Sequence, residues 1–203
     1  MIAMPPSLRS ILFGTATLLL LFVGARPDLR AQDQNLGVAV IVGESHAWML
    51  EAPEGWRLDA AGARSVGVGA AFTPEGVSWE KAPAVMYANG IPKLTADVTL
   101  KSVVGDDSLR ALARDPGARV VTAEPLETIE GTVAQVRHFI SADTSSYEAV
   151  AYIDGPTVVA LVVLSVGSKE EFETVLPSFA RLVDSYEWVT SDPAKIDELR
   201  RHR

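Results

Sequence analysis

The sequence predicts an α+β fold, a single domain in which an antiparallel β-sheet is flanked by helices in a sandwich-like α/β/α arrangement. Three observations point there. Short valine-rich segments alternate with Pro/Gly turns along most of the 203 residues, the spacing expected of hairpin-connected strands. One of these segments, Val158 to Leu164, is apolar on both faces, as in a central strand covered on both sides. A late segment from Ser168 to Tyr186 carries apolar residues at helical spacing and supplies one of the covers.

Taken in chain order, the first feature is an export leader. Arg9 precedes an unbroken apolar run from Ile11 to Val23, and the triplets Val23-Gly24-Ala25 and Leu29-Arg30-Ala31 both fit the small-x-Ala rule for peptidase cleavage. A retained anchor would need roughly 20 apolar residues, and Pro27, Asp28 and Arg30 cut the run short. The expected division is therefore a leader over residues 1–31, a domain over 32–189 and a tail over 190–203, the last a short helix or disordered. Cleavage after Ala31 removes Arg9, Arg26, Arg30 and Asp28, which takes the formal charge from −8 to about −10. A chain so acidic repels nucleic acid and anionic lipid, so membrane contact is expected only through the leader. The absence of cysteine excludes disulfides, a lipidated N-terminal cysteine, thiolate catalysis and Cys-ligated metal centres.

Within the domain, Val38 to Val42 and Ala47 to Leu50 read as strands, the second leading into a Pro53-Glu54-Gly55-Trp56 turn. From Val66 to Phe72 the alternation of Val66, Val68, Ala70 and Phe72 with Gly67, Gly69 and Ala71 predicts a strand whose small face lets another backbone approach. Thr73-Pro74-Glu75-Gly76 turns the chain, and Ala84 to Ala88 is the next strand. A helical region between Thr95 and Asp115, weakened by Gly105 into one helix or two, should turn Leu109 and Leu112 inward and stop at Pro116-Gly117. Strands follow over Arg119 to Ala123, Thr132 to Ile140, Ser146 to Ile153 and Val158 to Leu164, with Asp154-Gly155-Pro156 as a hairpin connection.

The last large element has Ser168 and Glu171 in a capping-box pattern and Phe172, Val175, Leu176, Phe179, Leu182, Val183 and Tyr186 on one stripe. Pro177 inside it predicts a kink or a late helix start. Asp192 and Pro193 can open a short terminal helix whose two apolar residues, Ile196 and Leu199, bury little area; a frayed end is expected.

This order of elements, with Pro53, Gly55 and Trp56 in a P-x-G-W turn, Phe72-Thr73-Pro74 ending a strand and a helix closing on Val183-Asp184-Ser185-Tyr186, resembles the PsbP-like superfamily, which includes the DcrB-like envelope proteins and the Ran-binding Mog protein. The likeness covers about residues 38 to 188. It implies an antiparallel sheet between helices and binding or accessory roles without catalysis, and it transfers no active-site residue.

Searched directly for chemistry, the chain offers few groupings. Gly43-Glu44-Ser45-His46-Ala47 has the small-x-Ser-x-small form of a nucleophile elbow, yet an elbow must run into a helix and this one runs toward a strand and turn. Glu44 and His46 would share one face of an extended strand; without a third ligand at clear spacing, a surface ion pair or solvated face is expected in place of a metal site. His138 shares a face with Ala134, Val136 and Ile140, which suits a core or groove histidine. Asp106 and Asp107 sit where a helix could begin, which favours an N-cap and dipole role over calcium binding. No phosphate loop or dinucleotide fingerprint is present, and no cofactor is expected. Trp79, between Gly76 and Pro83, and Tyr87 on the following strand are the candidate binding residues, a docking lip if exposed or a cover folded over the sheet edge if not. The resulting expectation is a periplasmic or secreted binding or accessory protein, not an enzyme, whose partner is another envelope protein or a small ligand. The alternatives are a small secreted hydrolase with Ser45 or His138 at its site, and a structural subunit of an envelope assembly.

Overall fold

The computed structural model describes residues 37–201; the leader and both cleavage candidates lie outside the described residues. Among the described residues, eleven strands form two antiparallel sheets. β1 (Val38–Val42), β2 (Ala47–Glu51) and β11 (Glu187–Thr190) make a three-stranded sheet in the order β1-β2-β11. The larger sheet runs β3 (Trp56–Leu58), β4 (Ala70–Pro74), β5 (Ala84–Pro92), β10 (Val158–Val166), β9 (Tyr147–Asp154), β8 (Val133–Ile140) and β6 (Arg119–Thr122), with the two-residue β7 (Leu126–Glu127) also paired to β8. β10 lies between β5 and β9, as its two apolar faces require. Val158, Ala160, Val162 and Leu164 enter one core and Val159 and Val163 the other.

Each face of the large sheet has its own cover. On one side α3 (Lys169–Asp184) and the small sheet close the core, with Phe172, Phe179, Leu182 and Val183 buried. Ser168 caps α3 by accepting the Glu171 amide, and the helix is continuous through Pro177, which lies on its exposed face. The late start expected from Pro177 does not occur, because the stripe around it is anchored at both ends by buried phenylalanines.

On the other side lie α1 (Ala60–Val66), α2 (Leu100–Arg114) and the loop carrying Trp79. Here the structure corrects the sequence expectations. Val66, where a strand was expected to begin, instead closes a helix over residues 60–66, and the strand starts at Ala70: Asp59 caps the helix by accepting the Gly62 amide at 2.8 Å, and Gly67 ends it at φ 73° in the left-handed region. The small-residue face survives at Gly69, where a Cβ would stand 3.0 Å from the Ala88 carbonyl oxygen. α2 is one helix across Gly105, capped by Thr99. It turns Val103 and Val104 inward and leaves Leu109 and Leu112 at 67% and 39% exposure, since the helix phase is set by those valines and by Asp107, which accepts the Tyr152 hydroxyl. Asp106 and Asp107 are thus mid-helix residues and cap nothing.

The terminal helix α4 (Pro193–Arg201) opens at Pro193 with Asp192 as its cap, the Asp192 carboxylate accepting the Ala194 amide, as the sequence suggests; it is docked and not frayed, with Ile196 buried against Val42 and Ala47. A single well-placed isoleucine and the Arg200 Nη2 to Gly43 carbonyl bond at 2.8 Å dock a helix that its own composition leaves marginal.

Candidate functional site

Trp79 and Tyr87 do not form an exposed lip. They are 2% and 5% exposed, packed edge to face with centroids 6.2 Å apart beneath α1. The Trp79 amide donates to Asp59 Oδ2, and a side chain on Gly62 would collide with the Trp79 Cβ at 2.8 Å. Tyr87 lies on the face of β5 that also carries Val85, so the pair is core, and burial removes the area that a partner would need.

Ser45 and His138 are not brought into a catalytic arrangement. Ser45 sits in the β1–β2 turn, where its carbonyl accepts the Thr157 hydroxyl at 2.8 Å, and the chain continues into β2 without a helix. Among the described residues no hydrogen bond joins the Ser45 hydroxyl to a histidine. His138 packs edge to face on Phe172 of α3 at 5.0 Å, and burial lowers its pKa, keeping it neutral in the manner of a core residue. Glu44 is exposed while His46 is buried, so the two do not converge, and among the described residues no group of three potential metal ligands occurs. His46 lies under Gly43, with Nδ1 unpartnered; burial and the Arg200 charge lower its pKa to about 4.

The structure opens a cleft elsewhere, of about 420 Å³, where both sheets end together. Four segments meet there. Lys93 follows β5 and is tied to the β9–β10 connection by its amide bond to the Thr157 carbonyl. Asp154 ends β9, and Gly155 and Pro156 make the turn. Glu130 and Thr132 come from the β7–β8 connection, which Gly131 allows at φ 78° and which the Ile129 amide bonds to the Asp184 carbonyl at the end of α3. Tyr186 enters from the short link between α3 and β11, and Trp188 from β11 itself.

The charges of this cleft are partly used by the fold. Lys93 Nζ lies 2.6 Å from Asp154 Oδ1 and donates to the Gly155 carbonyl at 2.7 Å, which closes the hairpin turn. Glu130 Oε2 accepts the Trp188 amide at 2.9 Å. Tyr186 is 2% exposed, its ring 5.5 Å from that of Trp48, and its hydroxyl has no partner among the described residues. Burial, then the Glu130 and Asp154 carboxylates, raise the pKa of that phenol, so it stays protonated. Gly155 keeps the floor open: a Cβ there would stand 3.0 Å from Trp188 Cζ3 and 3.2 Å from the Tyr186 hydroxyl oxygen. The arrangement joins an aromatic wall to a few converging polar groups, the composition of small-ligand sites. The sequence does not reveal it because its residues are scattered over nearly 100 positions without characteristic spacing; the Asp154-Gly155-Pro156 turn, Thr132 and Tyr186 stand out in the sequence for structural reasons alone.

No family model matches the chain, and no curated protein matches its sequence. Solved structures similar to it include cyanobacterial PsbP (CyanoP) from Synechocystis, with 12% identity over 82% of this chain and 99% of that one, at a TM-score of 0.48. LpqN of Mycobacterium tuberculosis, described as involved in cell envelope biogenesis, shares 14% identity over 77% of this chain and 92% of its own, at 0.49. The Ran-binding protein Mog1p of Saccharomyces cerevisiae shares 10% over 81% and 99%, at 0.45. PsbP and Mog are names from the family that the sequence resembles. The fold rests on the strand pairing described above, and nothing about function follows from these likenesses.

Proposed function

We propose that this protein is an exported, periplasmic or secreted binding or accessory protein that works without catalysis, and that the cleft between Lys93, Glu130, Asp154 and Trp188 is its binding site. The observation that carries the reading is the buried Tyr186 hydroxyl, unpartnered at the floor of an open cleft with an aromatic wall. A buried hydroxyl left without a hydrogen bond costs about 1–3 kcal/mol, and this one lies beneath the lining of the cleft. Export is supported by Arg9, the apolar run after it and the two small-x-Ala triplets. Among the described residues no helix is long and apolar enough to cross a membrane.

Two measurements test the reading. Intact mass of the protein from its producing cell should give a chain beginning at Arg26 or Gln32; a full-length mass in a soluble, non-membrane fraction overturns export. Thermal-shift screening against small-molecule extracts of the envelope should give stabilisation that Trp188→Ala abolishes. Stabilisation unaffected by Trp188→Ala removes the cleft as the site.

A further inference from the structure

Resting on the reading of this cleft as a binding site, we propose that it receives the cationic end of a ligand, a primary ammonium or guanidinium group, seated between Glu130, Asp154 and the Trp188 ring above the Tyr186 hydroxyl. The valences left over by the fold decide this. Lys93, the only cation among the described residues that line the cleft, is turned into the wall: its ammonium contacts Asp154 Oδ1 and donates to the Gly155 carbonyl, leaving one N–H. Acceptors are in excess on the open side. Glu130 uses Oε2 for the Trp188 amide and keeps Oε1, and Asp154 keeps its second oxygen; beneath them the Tyr186 hydroxyl, closed to water, has no partner among the described residues.

With two carboxylates against one ammonium, the lining carries a net charge of −1. Its low-dielectric aromatic walls focus that potential, and the Glu130 and Asp154 charges are felt at the Tyr186 hydroxyl itself. A cation brings the donors that these acceptors lack. The half-buried Trp188 ring adds attraction between a positive charge and an indole face. The cation is either a free small molecule or an arginine or lysine side chain of a protein partner, because both present the same terminal group.

Titration calorimetry on the protein purified from its producing cell, followed in parallel by the Trp188 indole resonance in NMR, distinguishes these cases. The probes are agmatine, a blocked tripeptide with a central arginine, D-glucose and acetate. We expect the cationic probes to bind at 1:1, to shift the Trp188 signal, and to weaken about 10-fold in Glu130→Gln, the loss of one charge-assisted contact. In that variant the amide oxygen can still accept the Trp188 amide, so the fold is kept. Tyr186→Phe should weaken the same probes several-fold. Tighter binding of agmatine than of the tripeptide assigns the site to a free cation, and the reverse to a side chain. Glucose or acetate shifting the Trp188 signal while agmatine does not overturns the cation and leaves the binding-site reading intact. Agmatine bound equally well by Glu130→Gln also overturns it, and silence of all four probes counts against both readings.

Discussion

Glu148→Gln should stabilise the protein, and by an amount that grows with pH. Glu148 stands on β9 between Phe139 of β8 and Ser165 of β10, with its carboxyl under α2. Its Oε1 is shielded from water and has no hydrogen-bond partner. Burial, and behind it the Asp107 carboxylate, raise its pKa from 4.5 to about 8, while Arg114 opposes the shift. In the unfolded chain the same carboxyl ionises near its ordinary value. The folded pKa is raised, so the native state binds more protons than the unfolded state between pH 4.5 and about 8, and stability falls through that window as pH rises. Each pH unit is worth about 1.4 kcal/mol, which sets a ceiling of about 3 kcal/mol at pH 7. The partly exposed stem of the side chain admits some screening and lowers the expectation to about 1–3 kcal/mol. Glutamine has nearly the same shape and never ionises. Urea midpoints of the two proteins at pH 4, 5, 6, 7 and 8 should coincide at the acid end and separate progressively above it. A pH-independent difference, or a variant less stable at pH 7, would refute the reasoning.

The remaining expectations concern packing, acid stability and the cleft. Phe179, 1% exposed at the middle of α3, should cost about 3–5 kcal/mol when replaced by alanine, against less than about 0.5 kcal/mol for Glu173→Ala, whose exposed side chain makes only the i,i+4 pair with Lys169; equal urea midpoints would show that α3 does not hold the sheet. His46, with its pKa lowered from 6.5 to about 4, stays neutral in the fold while the unfolded chain protonates. The stability it retains above pH 6.5 should therefore be lost as pH falls toward 4, by up to about 2–3 kcal/mol. His46→Gln should flatten that part of the pH profile, and an unchanged slope would count against it. Gly155→Ala should lower stability by about 1–2 kcal/mol, because the new methyl presses on Trp188, the Val158 carbonyl and Tyr186; chemical denaturation should detect this, and a neutral result would mean the cleft floor relaxes freely.

What the sequence determined by itself is the set of elements whose reasons are local. Strands β8, β9 and β10 and helix α3 followed from period-2 and helical spacing, because each of those segments buries one face or both against the same core. Pro53 to Trp56 and Thr73 to Gly76 marked turns through residues whose backbone preferences act alone, Gly55 and Gly76 taking φ of 78° and 76°. Where a segment had two local solutions, the tertiary structure chose. Val66 and Gly67, expected to open a strand, instead close a helix over residues 60–66 that Asp59 caps while holding the Trp79 amide. α2 took the phase that buries Val103 and Val104 and faces Asp107 to Tyr152, at the expense of Leu109 and Leu112. The aromatic residues most suggestive of a binding lip, Trp79 and Tyr87, entered the core, since a strand face and a helix were there to cover them. The cleft itself is a product of convergence. Lys93, Glu130, Asp154, Tyr186 and Trp188 meet because the ends of two sheets meet, and no spacing along the chain encodes a contact that exists only after long-range strand pairing has set the geometry.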